Sequence, residues 1–167
     1  MPATYEPIAT TTLGSAATSI TFSSIGSGYT DLRVVLSVSS TSGNSEGVRI
    51  IFNNDSSALY SQTYISGDGS SAVSARATGQ NFILLHYSGT STTIPTFYTV
   101  DVFSYAGSTN KTILTTGSED KNGSGNTTRN VGLYRSTTAI NELKLSTASA
   151  VTFSSGTTAT LYGILKA

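Results

Sequence analysis

The sequence contains no cysteine, which excludes disulfides, thiolate nucleophiles and sulfur ligands for a metal. Charge is also scarce, because charged residues make up 11% of the chain, with nine basic and nine acidic residues and a net charge of zero. Ordinary soluble domains carry about 25% charged residues. Affinity for phosphate needs clustered lysine or arginine, and the basic residues here are scattered singly. The sequence therefore predicts no nucleic-acid partner.

Long apolar runs are absent as well. No run approaches the ~20 residues that a membrane-spanning helix needs. The first ten residues, MPATYEPIAT, lack the basic segment and the hydrophobic core of a signal peptide. We therefore expect no membrane partner and no secretory leader.

The residues that are present favour β-structure in one domain. Serine and threonine make up about a third of the 167 residues. Val, Ile, Tyr, Phe and Thr dominate the apolar runs, and these residues prefer strands, whereas no segment repeats its apolar residues with the helical period. A chain of this length is sufficient for one domain. We predict an all-β fold, an antiparallel β-sandwich of about ten strands with jelly-roll-like connections.

Runs of alternating apolar and polar residues predict where the strands lie. In 31–39 the apolar residues share one face, and in 96–106 Tyr98, Val100 and Val102 lie opposite Phe97 and Asp101. The run 80–88 is apolar on both faces, which predicts a central strand, whereas 55–71 fits no strand pattern and reads as a long loop. The other predicted strands are 18–24, 47–54, 110–117, 130–136, 141–147, 150–155 and 157–167. The last of these alternates up to the end of the sequence, so we expect it to be fixed within a sheet.

The beginning of the chain differs from the rest. The stretch 4–13 reads as extended, and Pro7 would confine it to a sheet edge or a bulge. We predict that residues 1–12 form an extended N-terminal arm and that 13–167 form a single sandwich domain. Such an arm is suited to strand addition onto another protein, with Tyr5, Pro7 and Ile8 as packing residues. Arg129 and Arg135, which flank the segment NVGLY, are further candidate partner contacts.

Catalytic chemistry finds little support in the sequence. His86 is the one histidine, and it lies within an apolar run where a structural role is expected. Asp101 is the best candidate for an acidic partner of a catalytic histidine, but the G-x-S-x-G motif is absent. Asp55 and Asp68 lie in stretches whose residues suit turns as well as a calcium site. We predict no catalytic residue, no cofactor and no bound metal.

The nine tyrosines suggest a second kind of site. Rigid aromatic rings serve well as stacking surfaces, and Tyr60, Tyr64 and Tyr134 are the tyrosines expected to be accessible. Tyr60 and Tyr64 would stack on a glycan, and Asp68 would accept hydrogen bonds from its hydroxyls. The competing interpretation is that tyrosine is simply a favoured strand residue.

Several segments resemble a family of small Ser/Thr-rich virion proteins of tailed bacteriophages, frequent among marine phages and those of cyanobacteria. They are YEPIATTTLGS, ITFSSI, YTDLRVVLS, GDGSS, VGLYRSTTAINELKL and FSSGTTATLYGI. The resemblance implies a virion structural protein without catalytic residues. Jelly-roll decoration proteins of phage heads, often homotrimers, are one expected role, with the major capsid protein as the partner and the outer capsid surface as the location. A tail, baseplate or fibre module that recognises host-surface glycans is the alternative.

Overall fold

The computed structural model describes residues 4–43, 47–85, 89–147 and 151–165. These residues form twelve strands and contain no helix, hence no helix that could cross a membrane. The strands are β1 Tyr5–Thr12, β2 Ser19–Phe22, β3 Asp31–Val38, β4 Val48–Phe52, β5 Tyr60–Gly67, β6 Ala72–Gln80, β7 Ile83–Leu84, β8 Thr96–Val102, β9 Lys111–Asp120, β10 Gly125–Tyr134, β11 Leu143–Thr147 and β12 Thr158–Ile164.

The strands form two antiparallel sheets of unequal width. The large sheet has the order β1-β12-β3-β8-β9-β10-β5-β6, and the small sheet has the order β2-β11-β4-β7. The prediction of an all-β antiparallel sandwich is confirmed, with twelve strands where about ten were expected. The jelly-roll connectivity stays a prediction.

The core lies between the sheets and follows the alternation of the sequence. In β3 the side chains of Leu32, Val34, Leu36 and Val38 are fully buried, and their neighbours in the strand are not. β8 buries Tyr98, Val100 and Val102 in the same way, as predicted. The small sheet adds buried residues from every strand. Because successive side chains of a strand point to opposite faces, one face of each sheet supplies the apolar area that stabilises the fold.

Polar groups complete the contact between the sheets near β7. The side-chain oxygen of Gln62 accepts a hydrogen bond from the Leu84 amide (2.8 Å), and the Asn130 amide group donates to the Leu84 carbonyl (2.7 Å). Thr115 donates to the carbonyl of Leu85 (3.1 Å). Buried polar groups need such partners. These bonds therefore hold a two-residue strand in place opposite β5, β9 and β10.

The segment predicted to be an arm is paired with the domain itself. Residues 5–12 form β1, which lies at the edge of the large sheet and pairs with β12. The register shifts between Pro7 and Ala9, which confirms the prediction of an edge position or a bulge. β12 pairs with β1 on one side and β3 on the other, so the expected final strand is fixed inside the sheet.

Three segment predictions were wrong. The expected loop 55–71 contains β5, a strand of the large sheet. In the run 80–88, the described residues after Gln80 contribute β7, which lies at the edge of the small sheet and not in its centre. In 150–155 the described residues form no strand, and Phe153 makes only isolated bridges with Ala17 and Ser40. Apolar side chains in the last two runs serve core packing without a continuous ladder.

Candidate functional site

The broadest exposed feature is the outer face of the large sheet, defined as the side that points away from the small sheet. Cross-strand pairing places one residue from each of the eight strands in a row across this face. The row is Thr10, Thr160, Val35, Thr99, Thr116, Arg129, Ile65 and Ser74. Threonine predominates in this row, and Thr10 hydrogen-bonds to Thr160 through the hydroxyls at 3.1 Å. The outer face is therefore a wide surface of hydroxyl and methyl groups.

Exposed apolar side chains concentrate on this outer face. Seven large hydrophobic residues are exposed among those described, and five of them lie here. They are Tyr5, Val35, Ile65, Phe97 and Val131. Phe97 and Ile65 are the most exposed, at 56% and 59%. Concentrated apolar exposure of this kind marks an interaction surface more often than scattered single residues do.

An ion pair lies within this surface, between paired residues of β3 and β8. Arg33 donates from Nε to Oδ1 of Asp101 at 2.5 Å and from Nη2 to Oδ2 at 2.9 Å. The hydrogen bond to Asp101 raises the pKa of Arg33 above its ordinary value. The Arg33 guanidinium also lies 5.5 Å from the centre of the Tyr5 ring. Both carboxylate oxygens of Asp101, the acid considered for catalysis, thus accept hydrogen bonds from Arg33. His86, its expected partner, lies outside the described residues.

A second feature is an open cleft of about 770 Å³ at one end of the large sheet. Three segments surround it: the β5–β6 turn, the β9–β10 turn and residues 94–97 at the start of β8. Its apolar wall includes Ile94, Pro95 and Phe97, and its acidic residues are Asp68, Glu119 and Asp120. An exposed aromatic ring beside hydrogen-bond acceptors is an arrangement suited to a polyhydroxylated ligand.

The acidic groups of the cleft also have local partners. Asp68 Oδ1 accepts from the amides of Ser71 (2.7 Å) and Ser70 (2.8 Å), and these bonds lower the pKa of Asp68. Asp120 caps its own turn by accepting from the amide of Asn122 at 2.7 Å. Turn chemistry accounts for Asp68, as it does for Asp55, which accepts from the Ser57 amide at 2.9 Å. Across the described ranges, no group of three acidic or histidine residues is arranged to hold a metal.

Glu119 differs from the other two acids because it is buried. Its Oε2 atom accepts a hydrogen bond from the hydroxyl of Thr96 at 3.0 Å, and its Oε1 atom pairs with Lys121 Nζ at 2.7 Å. Both oxygens therefore bond to side chains at the cleft. The Glu119 carboxylate therefore stabilises the structure around the cleft and does not offer a free acceptor to a ligand.

Two of the tyrosines expected to be accessible are buried. Tyr60 is 0% exposed and Tyr134 is 1% exposed, because both point into the core. Tyr64 is half-buried on the inner side of β5. The three rings therefore provide no exposed stacking surface, and the prediction of Tyr60 as a glycan contact was wrong. Asp68 lies in the cleft, on the turn after β5.

The residues predicted to bind a partner lie in separate places. Tyr5 and Pro7 are exposed on β1, while Ile8 packs against the core. Arg129 is exposed on the outer face in β10. In the order of the large sheet, β10 is separated from β1 by four other strands. Arg135 follows β10 and donates to the carbonyl of Ala58 at 2.7 Å. Sequence reasoning did not single out Phe97, although the alternation in 96–106 separated it from the buried residues.

Comparison with protein-family models, with curated proteins and with solved structures found no match to this chain.

Proposed function

We propose that the protein is a structural protein of a tailed-bacteriophage virion that decorates the outer surface of the assembled capsid. The observation that carries the proposal is the outer face of the large sheet, where five exposed apolar side chains lie among threonine hydroxyls. The resemblance of the sequence to small Ser/Thr-rich phage proteins names the kind of partner, the major capsid protein. The low content of charged residues and the net charge of zero permit many copies to lie close together without strong repulsion.

Adhesion by this surface stabilises a head through mass action. A protein that binds only the assembled lattice lowers the free energy of that lattice and not of its free subunits. Full burial of one large apolar side chain contributes about 1.5–3 kcal/mol, so Phe97 and Ile65 are the strongest expected contacts. Tyr5 and Pro7 extend the same contact to the β1 edge, and Arg129 adds a hydrogen-bond donor near the centre.

The test is binding of the purified protein to heads that lack it. We expect saturable binding and a higher disruption temperature of the heads. Thr99→Glu places a carboxylate in the centre of the outer face and should abolish binding. Thr21→Glu is the matched control, because Thr21 is an exposed strand threonine beside Lys144 on the far side of the small sheet. Equal binding of both variants would contradict the proposal.

A second candidate function, recognition of host-surface glycan by a tail, baseplate or fibre module, is favoured by the cleft. Phe97 would stack on a sugar ring, and Asp68 and Asp120 would accept from its hydroxyls. Phe97→Ala should then abolish binding to host envelope polysaccharide, while Thr99→Glu, which lies outside the cleft lining, leaves it intact. Copy number also separates the two functions, since capsid decoration requires hundreds of copies per virion and a tail module only a few.

A further inference from the structure

We propose that β6 is a self-association edge, through which two copies of this chain pair antiparallel and join their large sheets. β6 is the last strand of the large sheet and, within the described residues, pairs only with β5. None of its nine residues is buried. A strand exposed on both faces and along one edge leaves a row of main-chain groups available for another strand. The inference concerns the protein alone and does not depend on its adhesion to capsids.

The part of β6 from Ala72 to Ala77 lacks the features that protect an edge strand. Protected edges carry proline, several charges or a bulge. The opposite edge of the sheet has two of these features, since β1 contains Pro7 and a register shift between Pro7 and Ala9. β6 has no proline and one charged residue, Arg76. Its register shift lies near its end, between Ala77 and Gln80, so its pairing with β5 is regular from Ala72 to Ala77. The two edges of one sheet are therefore not equivalent, and β6 is the open one.

The hydrogen-bond pattern shows which groups of β6 point outward. Across the β5–β6 turn, the Asp68 amide donates to the Ser71 carbonyl at 3.2 Å. Bonded and non-bonded pairs alternate along an antiparallel ladder, so the main-chain groups of Val73, Ala75 and Ala77 face β5. Those of Ala72, Ser74 and Arg76 face away from the sheet. These three residues supply the donors and acceptors for an added strand.

A second copy complements this edge without a clash of charge. With a two-fold axis at Ser74, that residue lies opposite its own copy, and Arg76 of each chain lies opposite Ala72 of the other. The outward groups then form about six main-chain hydrogen bonds. Val73 comes beside Ala75 on the inner side, so apolar residues adjoin apolar residues. The single positive charge never faces its equivalent, and the side chains near the axis are small enough for close approach.

The absence of native cysteine gives a direct test, since one introduced thiol can form only an intermolecular disulfide. In a hydrogen-bonded antiparallel pair the Cα atoms lie about 5.5 Å apart, which suits a disulfide. Ser74→Cys should therefore cross-link into a covalent dimer under mild oxidation. Ser118→Cys is the matched control, because Ser118 is an exposed strand residue on the outer face away from β6, and it should stay largely monomeric.

Sedimentation of the full chain over a range of concentrations tests the same contact without a chemical cross-link. We expect a monomer–dimer equilibrium that Ser74→Pro weakens at least about tenfold, because proline removes an outward amide that β5 does not use. Ser74→Ala retains that amide and should dimerise normally. Ala72→Glu should tighten the dimer, because it places a carboxylate opposite Arg76 twice per dimer. Circular dichroism confirms that each variant is folded.

Several outcomes would overturn the proposal. One is a wild-type chain that stays monomeric at every concentration while Ser74→Cys and Ser118→Cys cross-link equally slowly. Another is a dimer or trimer whose mass is unchanged by Ser74→Pro, since its contact would lie elsewhere. The homotrimer expected from the phage resemblance would give this second result. Pairing of β6 only with an extended segment of another protein would also exclude self-association.

Discussion

The rings of Tyr60 and Tyr134 stack with their centroids 4.7 Å apart and their planes 15° from parallel. Both hydroxyls bond to one residue: Tyr60 donates to the Asp55 carbonyl and Tyr134 to Asp55 Oδ2, each at 2.9 Å. Phe52 of the small sheet lies 5.6 Å from the Tyr134 ring. Tyr60 and Tyr134 thus connect β5 and β10 to β4 and to the loop that follows β4. Their role is to hold the sheets together, not to bind a ligand.

Truncation of Tyr60 should therefore affect stability strongly. Tyr60→Ala removes a fully buried ring, and we expect a loss of about 3–5 kcal/mol in the free energy of unfolding. Tyr60→Phe retains the ring but leaves the Phe52 amide without its 3.1 Å acceptor, and about 1–3 kcal/mol should be lost. Chemical denaturation measures both. Tyr5→Ala, at an exposed tyrosine on β1 that contacts Arg33, is the control and should change stability by about 1 kcal/mol or less. Similar losses for Tyr60 and Tyr5 would contradict this account.

Gly132 is required by the packing of β10 against β7. A Cβ atom added at this position would lie 2.5 Å from Cδ1 and 3.1 Å from Cγ1 of Ile83. Ile83 is fully buried, so its side chain has little room to move. We expect Gly132→Ala to lower the free energy of unfolding by about 1–3 kcal/mol through overpacking, as measured by denaturant titration.

A double-mutant cycle distinguishes this clash from loss of backbone freedom. Ile83→Val removes Cδ1, so Gly132→Ala should cost less in that background than in the wild type. Gly14 offers a control, because an added Cβ there meets no atom within 4 Å. If Gly132→Ala costs the same in both backgrounds, contact with Ile83 is not the cause.

The sequence predicts the strands whose inward residues are all apolar. Alternation in 31–39 and 96–106 identified the buried faces of β3 and β8, because the period of two directly records which side meets the core. The same reasoning found β12 and the edge position of β1, where Pro7 excludes a central place. For the candidate site, it separated Phe97 from the buried side chains of its strand.

Sequence patterns do not reveal a strand when its inward residues are polar or when none of its side chains is buried. β5 was missed because two of its inward residues, Gln62 and Ser66, are polar and are satisfied by hydrogen bonds that form only in the tertiary structure. β6 was missed because no side chain of it is buried, so no apolar period exists to detect. The cleft unites three segments far apart in sequence, and spacing along the chain carries no record of that proximity.

Buried tyrosines predict that the fold loses stability at alkaline pH. Burial raises the pKa of five tyrosine hydroxyls above the ordinary value of 10.0, and four of them belong to fully buried residues, Tyr60, Tyr98, Tyr105 and Tyr134. The unfolded chain then releases protons that the folded chain retains. The contribution of these protonated hydroxyls to the stability of the fold is complete below about pH 10. It is lost as the pH rises through their pKa values in the folded chain.

Tyrosinate absorbance provides the measurement for this prediction. The four buried tyrosines should ionise only together with the unfolding that circular dichroism detects. Tyr60→Phe removes one of the buried hydroxyls, so the alkaline decline of its stability should be shallower than that of the wild type. Ionisation of all tyrosines in a single transition that precedes unfolding would refute the prediction.

Lys111 is buried without a carboxylate among its described hydrogen-bond partners. Its Nζ donates to the carbonyls of Gly107 (2.7 Å), Thr109 (2.5 Å) and Ser136 (3.3 Å). Lys111→Met retains the length of the side chain but leaves these acceptors unpaired, so we expect a loss of about 1–3 kcal/mol in the free energy of unfolding. Lys144→Met, at a half-buried position of β11, should cost about 0.5 kcal/mol or less.

The pH dependence of the Lys111 effect has the opposite sign to that of the tyrosines. Burial lowers the pKa of Lys111 below its ordinary value of 10.5, so the unfolded chain binds more protons than the folded chain in that range. The contribution of Lys111 to stability therefore rises with pH towards 10.5. Denaturant titrations of the wild type and Lys111→Met at several alkaline pH values should show their difference widening. A constant difference would mean that the ammonium is hydrated as fully in the folded chain as in the unfolded one.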